Sequence, residues 1–158
     1  MKFSSQEEYG LRCLLQLARH AAKGSFTISE IAQAEGLSVP NVAKLMRILR
    51  RGAFVKSVRG QAGGYTLARP PGQIFVGEVL AVLGGRLFEP NFCDLHAGVM
   101  QLCTHTIDCS IRSLWRTVQL TVDQVLSKVT LEDLLSGERE LSSWIKSQTR
   151  GVLVPLCG

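Results

Sequence analysis

The segment from Thr27 to Leu67 leaves this chain little choice of fold. Thr27-Ile-Ser-Glu30 is a capping box: Thr27 caps a backbone amide, Glu30 reaches back, and a helix starts. That helix, ISEIAQAE, is short because Gly36 breaks it. Ser38 is a good N-cap for the next helix, and Pro40 falls in its first turn, where a missing amide costs little. The second helix should run to about Arg51, with Gly52 at its C-terminal end and Val42, Leu45, Met46 and Leu49 as its apolar stripe. Two helices joined by a tight glycine turn make a helix-turn-helix. FVKSV (54–58) and YTL (65–67) then read as strands on either side of RGQAGG, a β-hairpin with a basic tip. A hairpin directly after a helix-turn-helix is a wing. The expected fold is mainly α with a small β-hairpin wing.

The flanking segments are helical. Tyr9, Leu11, Leu14, Leu15, Ala18 and Ala22 fall at helical spacing in 5–22, with Glu7 and Glu8 near the positive end of the helix dipole. After Arg69-Pro-Pro-Gly72 comes a short helix, FVGEVLAVLGG. Beyond Cys109, the residues Ile111, Trp115, Val118, Val122, Val125 and Val129 are spaced 4, 3, 4, 3, 4, and Leu114 and Leu126 widen that seam. So long a seam suits packing on a second copy, and symmetric dimers suit a helix-turn-helix reading paired half-sites. Thr130 caps a last helix, LEDLL, and the tail carries no legible pattern. This divides the chain into a winged DNA-binding domain (1–72), a cysteine loop with a dimerisation helix (73–135) and a C-terminal tail (136–158).

Charge is distributed unevenly. Residues 1–72 hold 11 Lys and Arg against 4 acids, whereas 73–158 hold 7 against 9. The excess positive charge therefore belongs to the helix-turn-helix half, as expected for a module that binds double-stranded DNA. Ser38, Pro40, Asn41 and Lys44 lie at the end of the second helix that enters the major groove in this motif. Asn can pair bidentately with adenine, and Lys can reach guanine or phosphate. Lys44, Arg47, Arg51, Lys56 and Arg59 are the candidate phosphate neutralisers, with Arg59 also suited to a narrow minor groove. Gly60 and Gly63 either allow close approach to a phosphate backbone or only shape the turn. The sequence offers no phosphate-binding glycine loop, no paired carboxylates and no third group to orient a histidine, so it does not read as an enzyme. No apolar run reaches the roughly 18 residues needed to span a bilayer. The start, MKFSSQEEYG, has no apolar signal core, and a cytoplasmic location is expected.

Three of five cysteines fall in CDLHAGVMQLCTHTIDC (93–109), spaced C-x9-C-x5-C, with His96 and His105 among them. Clustered thiols in a reducing compartment point to a metal or a redox function: an iron–sulfur cluster, zinc, or a thiol switch. Cys13 and Cys157 read as ordinary small apolar residues.

The opening MKFSSQEEYGLRCL, the wing segment SVRGQAGGYTLARP, the helix VGEVLAVLGG, the cysteines and TLEDLL together resemble the bacterial IscR/NsrR-type family of winged-helix regulators, over about residues 1–135. The resemblance implies a dimeric DNA-binding protein whose iron–sulfur cluster alters DNA affinity. Cys93, Cys103 and Cys109 match the family's three cysteine ligands, although the first spacing is four residues longer than usual. A His three residues after the last cysteine ligates in some members; here that position is Arg112, which cannot ligate. In others the fourth ligand is an acid on the first helix of the partner subunit, and Glu8 occupies that position. The family reading is a sensor of redox state, nitric oxide or iron–sulfur status. The alternative is a thiol/disulfide or zinc-dependent regulator.

Overall fold

A computed structural model describes residues 4–60, 63–86, 88, 92–95, 97 and 108–149. Helix α1 spans Ser5–Arg19 and opens with a second capping box, in which Ser4 and Glu7 exchange side-chain and backbone hydrogen bonds. A 3₁₀ turn at Ala21–Lys23 replaces the last turn expected of this helix. Helix α2, Ile28–Glu35, carries the predicted Thr27–Glu30 box and stops where Gly36 takes a left-handed φ of 64°. Helix α3 is Val39–Arg51, and its four predicted stripe residues are all fully buried.

Two local readings need amendment. Ser38 occupies the N-cap of α3, but its side chain makes no capping hydrogen bond. Gly52 has φ −78°, and it is Ala53 that takes the left-handed value, 58°. Gly52 is required for space rather than for conformation. A Cβ there would lie 2.7 Å from the Phe54 ring and 3.0 Å from Val82.

Strands β1 (Val55–Val58) and β2 (Gly64–Leu67) pair antiparallel, with Val55 opposite Leu67 and Val58 opposite Gly64. Phe26 bridges to Tyr65 through two backbone hydrogen bonds, of 2.9 and 2.8 Å, and so ties the wing to the approach to α2. After a 3₁₀ turn at Pro71–Gln73 comes α4, Val76–Gly84. It packs closely on α1, since a Cβ on Gly10 would fall 2.4 Å from Leu83. The main core joins Cys13, Leu14 and Leu17 of α1, Ile31 of α2 and the α3 stripe to Phe54, Ile74, Val79, Leu83 and Leu131. Each fully buried Leu or Ile in it contributes about 1.5–3 kcal/mol relative to exposure.

Helix α5 is one turn, Phe92–Leu95, and α6 runs Ser110–Leu126. The predicted seam overruns α6 at its end. Val129 lies past the helix in an extended segment, where its carbonyl accepts the Val76 amide at 2.9 Å, and it is buried. LEDLL forms a single 3₁₀ turn, Asp133–Leu135, instead of a helix. Thr130 and Asp133 exchange hydrogen bonds across it, and Ser136 closes it. The tail contains a helix that its sequence did not announce, α7 (Glu138–Thr149). Its Leu141, Trp144 and Ile145, at i, i+3 and i+4, pack against Val76, Leu80 and Val129.

Candidate functional site

Pro40, Lys44, Arg47 and Arg51 stand at i, i+4, i+7 and i+11 of α3. They make one exposed row on the side away from the buried stripe. Ser38 is exposed at the head of this row, and Asn41 is half-buried beside it. β1 follows α3 after three residues and packs on it, and Lys56, Arg59 and Gly60 are exposed on the wing. The two wing glycines close the tip. Gly60 has φ 108°, its carbonyl accepts the Gly63 amide at 2.9 Å, and a Cβ on Gly63 would lie 2.8 Å from that same oxygen. Turn geometry alone therefore accounts for both.

Ion pairing sorts the basic residues of this half. Arg12 Nε pairs with Glu35 Oε2 at 2.5 Å and its Nη2 donates to the Glu35 carbonyl at 2.9 Å, which locks α1 to the end of α2. Arg69 pairs with Glu78 at 2.9 Å and lies 5.3 Å from the Phe54 ring centroid, which holds the wing's exit against α4. Lys44, Arg47, Arg51, Lys56 and Arg59 have no ion-pair partner among the described residues. Among the described residues, the exposed cations of α3 and the wing are thus uncompensated. Two α3 residues that sequence reasoning passed over join this surface. Arg50 is exposed, and Val39, which continues the apolar stripe by spacing, is 49% exposed.

The cysteine segment is described in part. Cys93 lies in α5 and Cys109 at the N-cap of α6; both are half-buried free thiols. Cys109 Sγ accepts the backbone N–H of Arg112 at 3.3 Å. Arg112 thus meets this sulfur through its backbone, at the position where some family members carry a ligating histidine. Cys103, His96 and His105 lie outside the described residues. Glu8 is exposed on α1, and no three metal-ligating side chains converge among the described residues. Cys13 is a different kind of thiol. It is fully buried in the core, and burial pushes its pKa up to about 12, so it stays protonated and inert.

A capped helix-turn-helix, an unpaired cationic row and a glycine-tipped hairpin define a winged-helix DNA-binding protein. The chain belongs to the Rrf2 family, described as an iron-dependent transcriptional regulator, whose model matches residues 3–137. It is similar to the solved IscR of T. potens, at 34% identity over 85% of this chain and 86% of that one, with a TM-score of 0.67. It also resembles CymR of Bacillus subtilis, named an HTH-type transcriptional regulator, at 33% identity over 89% of this chain and 96% of that protein. The solved structure of this CymR, titled as the global cysteine regulator, has a TM-score of 0.64 to this chain. CymR of Staphylococcus aureus, solved in an oxidized form, is 29% identical over 87% of this chain and 98% of that one, with a TM-score of 0.64. The protein is a DNA-binding transcriptional regulator and not an enzyme. No helix among the described residues is long and apolar enough to cross a membrane.

Proposed function

We propose that this regulator works as a homodimer whose DNA affinity is set by an iron–sulfur cluster bound to Cys93, Cys103 and Cys109, with Glu8 of the partner subunit as fourth ligand. The observation that carries this reading is the setting of Cys109. Its half-buried sulfur sits at the N-cap of α6 and accepts the Arg112 backbone N–H, and hydrogen bonds to ligating sulfurs are one of the ways a protein tunes such a cluster. Cys93 and Cys109 are also unbridged and half-buried, so they fit a soft-metal donor set. The family's description as iron-dependent supports the same choice. When bound, the cluster supplies chemistry that responds to oxidants, nitric oxide and iron supply.

On the DNA side, Ser38, Pro40 and Asn41 read base edges, while Lys44, Arg47, Arg51, Lys56 and Arg59 neutralise phosphates. Gly60 and Gly63 hold the wing tip that presents Arg59. Residues 1–72 form the DNA-binding unit, and 73–135 the sensing and dimerising one. The dimer forms on the first half of α6, where Ile111, Leu114 and Trp115 are exposed at 55%, 56% and 39%. An exposed apolar strip on a helix suits a second copy of itself.

The test is an absorption spectrum of protein purified without oxygen, with iron and sulfide assayed on the same sample. Broad visible absorption with roughly equimolar iron and sulfide, both lost in Cys109→Ala, is expected. Colourless protein without iron would overturn the cluster. A second reading then takes over: a thiol switch in which Cys103 and Cys109 form a disulfide, favoured by the likeness to the B. subtilis CymR titled as a cysteine regulator and to the S. aureus CymR solved in an oxidized form. Mass spectrometry after diamide treatment detects that bond, and metal analysis detects zinc.

A further inference from the structure

Gln119 is the buried polar side chain among the described residues, 6% exposed in the middle of α6. A buried carboxamide persists only where its hydrogen bonds are met. Its Oε1 accepts the backbone N–H of Phe88 at 2.9 Å, and its Nε2 donates to Asp123 Oδ1 at 2.7 Å. The other Asp123 oxygen takes the Arg86 guanidinium. Arg86 and Phe88 are the exit from α4 towards the cysteines, so this exit is fastened to α6 at two points. The Phe88 ring leans on Phe92, centroids 5.0 Å apart and tilted by 36°, and Phe92 immediately precedes Cys93 in α5. At this same C-terminal end α4 is wedged against α1 through Leu83 and Gly10, and against the end of α3 through Val82 and Gly52.

We propose that Gln119 is a positioning residue of the sensor: it fastens the arm that leads to Cys93 onto α6, so that a change at Cys93 displaces α6 and α4 together. This rests on the reading of Cys93 as part of the sensing site. Without the fastening, movement at Cys93 would be absorbed in the arm. With it, movement reaches α4, and through α4 the end of the recognition helix. An apolar residue at 119 would pack as well against the core but would leave the Phe88 amide without its acceptor.

The test compares Gln119→Leu, which keeps volume and loses both hydrogen bonds, with Gln119→Glu, whose carboxyl keeps the acceptor for Phe88 and, sharing one proton with Asp123, holds the second hydrogen bond as well. Hydrogen exchange on the full chain, read by mass spectrometry, should show the peptide covering 85–95 exchanging about ten-fold faster in Gln119→Leu, with α3 peptides unchanged, and largely restored protection in Gln119→Glu. A merely structural role for the site gives the opposite order, because a buried Glu disrupts packing more than Leu. The second readout is the ratio of DNA affinities between cluster-loaded and stripped protein, on a duplex selected from a random library by the wild type. A wild-type ratio in the roughly 5–150-fold range typical of coupled sites should fall below about two-fold in Gln119→Leu, at unchanged iron and sulfide per chain. If Gln119→Leu does not fold, Gln119→Met, which keeps the unbranched shape and likewise takes the carboxamide acceptor from Phe88, replaces it in both assays with the same expectations. Wild-type exchange and an undiminished ratio in these variants overturn the proposal. A wild-type ratio of one instead overturns the sensing reading and takes the coupling with it, while the exchange data still decide whether Gln119 fastens the arm.

Discussion

Arg47→Ala isolates the electrostatic part of DNA binding. Arg47 is exposed in the α3 row and has no ion-pair or hydrogen-bond partner among the described residues, so its loss should leave fold stability within about 0.5 kcal/mol of the wild type. The affinity of a DNA-binding protein falls with salt at a log–log slope of about −0.9 per phosphate neutralised. Lys44, Arg47, Arg51, Lys56 and Arg59 would set an upper bound of about −9 for a symmetric dimer with every cation engaged. Removing Arg47 from both protomers should make the slope shallower by about 1.8. Between 50 and 200 mM salt the wild type should then lose about twelve-fold more affinity than the variant. Fluorescence anisotropy with one selected duplex, titrated at four or five salt concentrations, measures both slopes. Arg12→Ala is the internal control. It breaks the tie to Glu35, whose carboxylate is mostly buried, and should cost about 1–3 kcal/mol of stability while leaving the slope alone. An unchanged slope in Arg47→Ala refutes the assignment of the α3 row to phosphates. A change of about 0.9 would refute the symmetric dimer while keeping the contact.

Four further expectations follow from the packing, the thiols and the exposed face of α6. Gly52→Ala should destabilise by about 1–3 kcal/mol, because its new Cβ meets the Phe54 ring and Val82 while its φ remains allowed; an unshifted urea midpoint would count against the α3–α4 contact. In cluster-free folded protein at neutral pH, iodoacetamide should modify Cys93 and Cys109 and spare Cys13, and peptide mapping that finds Cys13 alkylated under native conditions would contradict its burial. Since the folded pKa of Cys13, about 12, stands above its ordinary 9.0, the stability that this buried neutral thiol contributes is intact below pH 9 and is lost as pH rises from 9 to 12; Cys13→Ala should flatten that alkaline limb. Leu114→Asp combined with Ile111→Asp should convert a sedimenting dimer to a monomer with unchanged helix content, and a persistent dimer would move the interface off α6.

The parts of this molecule that were legible in its sequence are those whose cause is local. The Thr27–Glu30 box needs only four residues to start α2, and the spacing of Val42, Leu45, Met46 and Leu49 needs only the helical period to say which face of α3 is buried. Once that face is fixed, the outward row from Pro40 to Arg51 follows, and the proposed DNA-binding surface is therefore the most readable part of the protein. What escaped has its cause elsewhere in the chain. Gly52 looked like a helix stop, but its reason is an aromatic ring and a residue 30 positions on. Val129 fitted a helical seam, because periodicity cannot see that its carbonyl will pair with Val76 across the chain. The spacing of Leu141, Trp144 and Ile145 was present in the tail, but without a capping residue in front of it only their packing on Val76 and Leu80 gives it meaning. Gln119 is the sharpest case. A glutamine between Trp115 and Val122 carries no local sign of its partner, and only an amide 31 residues away makes it a buried anchor. A surface built on one helix and one hairpin is assembled from neighbouring segments, and so it leaves a local trace. A connection that carries a signal between units has to join distant segments, and single polar residues inside apolar seams are where such connections are to be sought.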